Sequence, residues 1–321
     1  MGNNEIKSYE KSYESSLFLK CHEAKVSHII LLRDGRLSSC SFDKNIIIYK
    51  KHTFQIDQII EGKNSFIFHF QLSNNNIIGL HTNCSKNSLE VYELKNNKYK
   101  LYQEIIIEEK RKLRKIIEID DKTFALCFKY IILQIYKIDE SKQYTQIMEK
   151  WIVGCKSNGR LNVIKVNESE LAFCSSALHQ IYFLDIKNNL KQTAYISNID
   201  CSERNNSMVM LNDIILIVFA KYTNGIYLID IKKHIIIKQI MKGNFCCSMI
   251  KLLNGNFLAR YKDKNNKSGL TEYKYEKNSF VEIKSVEEKK YLLNFCEIKD
   301  EKIASLSGNN KIKIWSKINN K

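Results

Sequence analysis

Proline does not occur in this chain and glycine only 11 times. No Pro/Gly-rich linker therefore divides its 321 residues into separate halves. Arginine is scarce: seven residues, against 44 lysines. Proteins that read bases or grip phosphates bidentately lean on the planar guanidinium, so specific nucleic-acid readout is disfavoured. The ten cysteines are spread singly apart from Cys246-Cys247. No C-x-x-C pair or Cys/His cluster has zinc-ligand spacing, so no metal site is expected. The longest apolar run, near Ile214 to Ala220, is far too short to span a bilayer. The polar opening Met1 to Ile6 lacks the plan of a signal peptide.

What is present is an apolar fraction of 44%, ample for a packed core. Asn, Lys and Ile are over-used, a bias that A/T-rich codons favour. The net charge of +16 thus has two readings, a scattered solvated lysine surface or a preference for an acidic partner. Unpaired thiols inside apolar runs, such as Cys40, Cys127 and Cys174, fit a reducing intracellular compartment and cytoplasmic location.

The chain also repeats. The runs Ile46-Ile-Ile-Tyr49, Leu89-Glu-Val-Tyr92, Leu133-Gln-Ile-Tyr136, Ile181-Tyr-Phe-Leu184, Ile226-Tyr-Leu-Ile229, Leu270-Thr-Glu-Tyr273 and Ile312-Lys-Ile-Trp315 end at intervals of 42 to 48 residues. Upstream of each stands a polar corner, such as Arg33-Asp-Gly-Arg36, Ser73-Asn-Asn-Asn76 or Asn254-Gly-Asn256. Asn, Asp and Gly tolerate left-handed backbone and make side-chain turns, so these are hairpin corners. A further run follows each aromatic-ended one, such as Gln55 to Ile60 or Ile235 to Ile240. Four antiparallel strands per 40–45 residues describe a β-propeller blade. The expected fold is all-β, a seven-bladed propeller of four-stranded antiparallel blades.

The seventh unit lacks a fourth strand, and a spare run, Ser16-Leu-Phe-Leu19, precedes the first. An N-terminal strand that joins the last blade closes the ring economically and covers edges. Residues 1–15 are then a polar N-terminal segment, and residues 16–318 a single propeller.

The first unit carries His22, Asp34-Gly35, Ser39-Cys-Ser41, Asp43 and Tyr49, and in these it resembles the WD-repeat β-propeller family. The resemblance implies a buried network in which His22, Ser39 or Ser41, Asp43 and Tyr49 fix the blade, with Tyr49 in the place of the family's Trp. The last unit keeps Ser305, Ser307, Gly308 and Trp315, but Asn309 stands where the Asp should be. Units four and five keep an Asp after the aliphatic end, Asp185 and Asp230. Units two, three and six retain almost none of the signature.

Ser41, His22 and Asp43 also make a nominal Ser-His-Asp set. No nucleophile elbow accompanies it, so the blade network accounts for these residues better than catalysis does. The densest basic cluster, Lys110-Arg111-Lys112-Leu113-Arg114-Lys115, joins the second unit to the third. It reads as a solvated loop, a patch for an acidic peptide, phosphate or lipid headgroup, or a nuclear import signal. The same propeller face should carry Arg160, Arg204 and Lys262. Tyr222 and Tyr261 are candidate anchors, since rigid aromatics beside Arg or Lys recur at binding hot spots.

No nucleophile, metal site or phosphate-binding glycine loop emerges, so neither enzyme activity nor a cofactor is expected. The resemblance implies a monomeric scaffold or adaptor for other proteins, presenting loops to an acidic partner or to one within a multiprotein complex. The alternative is an anionic ligand (phosphopeptide, phosphoinositide or nucleic acid) bound through basic loops. A membrane surface has no specific support in the sequence, which lacks the paired arginines of the family's phosphoinositide binders.

Overall fold

The computed structural model describes residues 13–82, 87–107, 113–128, 132–151, 161–175, 179–199, 208–220, 225–241, 245–262, 268–277, 279–288, 292–298, 302–307 and 311–317. The chain opens with β1 (Tyr13–Leu19). Blade 1 is β2 (Val26–Leu31), β3 (Leu37–Ser41), β4 (Asn45–Tyr49) and β5 (Ile56–Glu61). Blade 2 is β6 (Phe66–Gln71), β7 (Ile77–Thr82), β8 (Asn87–Lys95) and β9 (Lys98–Ile107). Blade 3 is β10 (Leu113–Asp120), β11 (Thr123–Phe128), β12 (Ile132–Ile138) and β13 (Tyr144–Trp151). Blade 4 is β14 (Leu161–Asn167), β15 (Glu170–Ser175), β16 (Gln180–Asp185) and β17 (Lys191–Ile196). Blade 5 is β18 (Met208–Met210), β19 (Ile215–Ala220), β20 (Gly225–Asp230) and β21 (Ile235–Met241). Blade 6 is β22 (Phe245–Lys251), β23 (Phe257–Lys262), β24 (Ser268–Glu276) and β25 (Ser279–Glu288). The last sheet joins β26 (Leu292–Ile298), β27 (Lys302–Ser307) and β28 (Lys311–Lys317) to β1.

Each sheet is an antiparallel four-strand meander, and the seventh takes its outer strand from the start of the chain. β1 runs antiparallel to β28, from Tyr13 opposite Lys317 to Leu19 opposite Ile312. This is the closure expected from the spare apolar run, with the strand beginning at Tyr13 rather than Ser16. Leu19 enters the core shared with blade 1, and the Tyr13 hydroxyl donates to Glu272 Oε2 of blade 6 at 2.8 Å. One strand thus ties the last blade to both of its neighbours.

The core lies between blades. Among the described residues, seven buried apolar clusters each join two adjacent blades. In β11, Phe124, Leu126 and Phe128 pack toward blade 2, while Ala125 and Cys127 pack toward blade 4. Both faces of such a strand are buried, and it reads as an unbroken apolar run for that reason. One blade alone would leave both faces wet, so stability comes with stacking.

A bulge recurs in every outer strand. One extra residue stands opposite the end of the third strand: Asp57, Tyr102, Ile147, Thr193, Ile237, Ile283 and, in β1, Ser16. Bulges bend and twist a strand and so blunt an exposed edge. Three residues before each extra residue stands Phe54, Tyr99, Tyr144, Leu190, His234, Phe280 or Tyr13, and all but His234 are buried.

Two side-chain clamps repeat with the same period. Gln58 bonds the backbone of Tyr99, its amide accepting the N–H at 2.8 Å and donating to the C=O at 2.7 Å. Gln103 does the same to Tyr144, at 2.8 and 2.9 Å. Nearer the axis, Gln71, Glu118 and Glu297 accept the N–H of Arg33, Ser73 and Leu253 from the first hairpin turn of the neighbouring blade. The face carrying those hairpin turns, the turn face, is therefore sewn together. The opposite loop face carries the connections between second and third strands and from blade to blade.

Candidate functional site

Blade 1 assembles four polar side chains from four places in the chain. Asp43 sits in the turn between β3 and β4, next to Lys44, whose φ is 70°. Its Oδ1 accepts the N–H of Asn45 at 3.0 Å and its Oδ2 the N–H of Glu23 at 3.0 Å. Oδ2 also faces His22 Nδ1 at 2.8 Å. On the other side of the ring His22 Nε2 meets Ser39 Oγ at 2.8 Å, and Ser39 Oγ meets the Tyr49 hydroxyl at 3.0 Å. With a carboxylate at one end the proton direction is set: Tyr49 donates to Ser39, Ser39 to His22 Nε2, and His22 Nδ1–H to Asp43. Burial lowers the His22 pKa, opposed by the charge and hydrogen bond of Asp43. The Tyr49 hydroxyl is pushed up, again mainly by burial.

Ser39, Ser41 and Tyr49 are fully buried. Ser39 completes the chain, whereas Ser41 holds the corner, donating to Lys25 O at 3.0 Å and accepting the Asp43 N–H at 3.1 Å. Tyr49 does with a hydroxyl what Trp315 does with an indole in the last blade, where Nε1 donates to Ser305 Oγ at 2.8 Å. Lys313 Nζ lies 3.8 Å from the centre of the Trp315 ring, in cation–π range.

The structure adds networks that the sequence signature does not show. In blade 2, Gly79 stands at the register position of Ser39, opposite Glu90, and Ile77 is opposite Tyr92. With no hydroxyl there, Tyr92 donates instead to Glu90 on its own strand. Glu90 Oε2 lies 2.9 Å from His81 Nε2, and the other ring nitrogen meets Asn64 O at 2.8 Å. Burial raises the Glu90 pKa, but the hydrogen bonds of His81 and Tyr92 outweigh it and the net direction is down. The space freed at Gly79 is taken by Phe66, whose ring carbon would be 2.4 Å from a Cβ. In blade 6 the buried Glu272 takes Asn256 at 2.7 Å, Asn254 at 3.3 Å and Tyr13. A Glu two residues before Tyr92, and one before Tyr273, is the sequence signal that could have found them.

The candidate binding residues fare differently. Lys110, Arg111, Lys112, Arg160, Arg204 and Tyr222 lie outside the described residues. Arg114 occupies a bulge of β10, between Leu113 opposite Phe128 and Lys115 opposite Cys127. Tyr261 and Lys262 end β23 on the loop face, with Tyr261 opposite Cys246 and Gly269, and Lys262 opposite Phe245 and Ser268. Lys115, the last member of the basic run, is spent inside the ring. Its Nζ donates to Val163 O at 2.6 Å and Asn162 Oδ1 at 3.3 Å, and burial lowers its pKa. Among the described residues, no three His, Cys, Asp or Glu side chains group as a metal site.

No protein-family model and no curated protein matches the sequence. Among solved structures, the chain is similar to the WD40 β-propeller domain of Doa1, with a TM-score of 0.68 at 15% identity. That similarity covers 95% of this chain and 97% of the other. The fold is the WD40 seven-bladed propeller.

Proposed function

We propose that this chain is a non-catalytic interaction scaffold or adaptor that presents its loop face to another protein. The observation that carries the reading is the use of the polar residues. The one His-Ser-Asp set of blade 1 is consumed in a buried chain of hydrogen bonds, and no substrate can reach a Ser39 with 0% exposure. The two faces also differ: Gln and Glu clamps sew the turn face together, while β23 ends in Tyr261-Lys262 on the loop face. Buried Cys40 and Cys127, whose thiols burial pushes up to about 12, behave as inert apolar fillers rather than nucleophiles.

The test reverses the charge of Lys110, Arg111, Lys112 and Arg114 together, followed by affinity capture from the native cell. Loss of specific partners is the expected result, and an unchanged partner set sinks this patch. The net charge of +16 favours a second reading, an anionic ligand held by the same loops. Binding that falls steeply between low and moderate salt would select it, and salt-insensitive capture would reject it.

A further inference from the structure

The outer strand of blade 5 departs from the other six. β21 exposes three consecutive isoleucines, Ile235 at 50%, Ile236 at 39% and Ile237 at 52%. Successive side chains of a strand point to opposite faces, so both faces of β21 are apolar at the rim. Ile237 is also the bulge residue. Elsewhere the exposed apolar residues are broken by carboxylates on the same strand: Asp57 and Glu61 in β5, Glu104 in β9, Glu149 in β13, Glu282 in β25 and Glu14 in β1. β21 and its neighbour β17 carry none.

Three carboxylates of blades 4 and 5 are already engaged. Asp230 Oδ1 accepts the N–H groups of Lys232 and Lys233 at 2.9 and 3.0 Å, and Asp185 caps Lys187 and Asn188 in the same way. Glu170 takes the Thr193 hydroxyl at 2.8 Å and His234 Nε2 at 3.0 Å. Lys232 and Lys233 are exposed at one end of the isoleucines and Lys238 at the other. The rim of blade 5 is an apolar strip between cationic ends.

We propose that β21 is a second docking surface, for an extended acidic segment of a partner protein with apolar residues between carboxylates. Complementary charge selects this occupant over another copy of the chain, whose β21 would bring the same lysines to the same place. An outer strand leaves one row of backbone N–H and C=O groups open, which an extended segment can pair and a helix cannot. The site is remote from the loop face and independent of the reading above.

Two labelled peptides serve as probes, Glu-Glu-Val-Thr-Val-Thr-Glu-Glu and the same sequence with lysine for glutamate, titrated against the full chain by fluorescence anisotropy. The acidic peptide is expected to bind and the basic one not. Ile235→Thr with Ile237→Thr keeps β-branched side chains, and Lys232→Glu with Lys233→Glu leaves the isoleucines. Each pair should weaken binding by about tenfold, a difference of about 1.4 kcal/mol, and reversal of Lys110, Arg111, Lys112 and Arg114 should leave it unchanged. Equal binding of the two peptides, or full affinity in both pairs, overturns the proposal. So does a concentration-dependent dimer in sedimentation that Ile235→Thr with Ile237→Thr dissolves, since the occupant would then be a second copy.

Discussion

Ser39 is the residue on which blade 1 turns, because its single hydroxyl both accepts from Tyr49 and donates to His22. Replacing it with Ala strands a buried donor and a buried acceptor, at a cost of about 1–3 kcal/mol. Tyr49→Phe removes a donor only and should cost about 1 kcal/mol; urea unfolding of the two variants gives the order. In blade 2 the constraint is spatial. Gly79→Ala puts a methyl against the Phe66 ring, and overpacking of that kind costs about 1–3 kcal/mol; its denaturation midpoint should fall.

The histidines add a pH dependence. Burial lowers the pKa of His28 from 6.5 to about 3, and those of His69 and His22 in the same direction. His28 and His69 pack edge to face, with ring centroids 5.4 Å apart between the inner strands of blades 1 and 2. A base with a depressed pKa stays neutral in the folded chain while the unfolded chain takes up a proton. Its contribution is therefore whole above about pH 6.5 and drains away as the pH falls toward 3. Each such group adds a slope of up to about 1.4 kcal/mol per pH unit. Urea midpoints measured from pH 7.5 to 4.5 should fall steeply, and His28→Phe should flatten the curve by one group's share.

At the scale of elements, β1 is the decisive strand. It supplies the whole outer edge of the last blade, a residue of the blade 1 core and a hydrogen bond to blade 6. Deleting residues 1–20 should abolish soluble, cooperatively folding protein, and a truncated chain that kept its melting temperature would contradict the closure seen here. This element could be read in advance because a blade short of one strand and a spare apolar run are both visible in the sequence. The bulges could not, since an extra residue in a register leaves no composition signal. The large side chains three positions before them, Phe54 to Phe280, do keep the period, but they differ in type and stand at varying distances from the preceding aromatic. The networks of blades 2 and 6 leave only a Glu beside an aromatic as their signal, because His81, Glu90 and Glu272 do the work of the His-Ser-Asp set from other register positions.

Over the whole molecule, repetition carries the architecture and divergence carries the interest. The period of about 44 residues gave the blade count because every interface between blades must be filled by the same kind of strand. Lysine number gave little, since Lys115 shows that membership of a basic run does not leave an amino group free for a partner. If the loop face holds the partner, capture should respond to the charge of Lys110 to Arg114 and be indifferent to Gln58→Ala and Gln103→Ala, whose effect should appear in thermal stability alone. Affinity capture and melting curves on the same variants separate the two.

The joining of β1 to β28 also sets a timetable. The Ser16 and Ser316 hydroxyls that meet across that pair are 300 residues apart in the chain. At about 5–20 residues per second, a ribosome needs roughly 15–60 s to supply the partner after the first strand has emerged. For that interval β1, with Leu17 and Phe18, is an apolar strand without its sheet. Its vulnerable moment falls during synthesis. An unpaired β1 that meets the open last blade of another molecule closes the wrong ring, giving an exchanged dimer built from native contacts throughout.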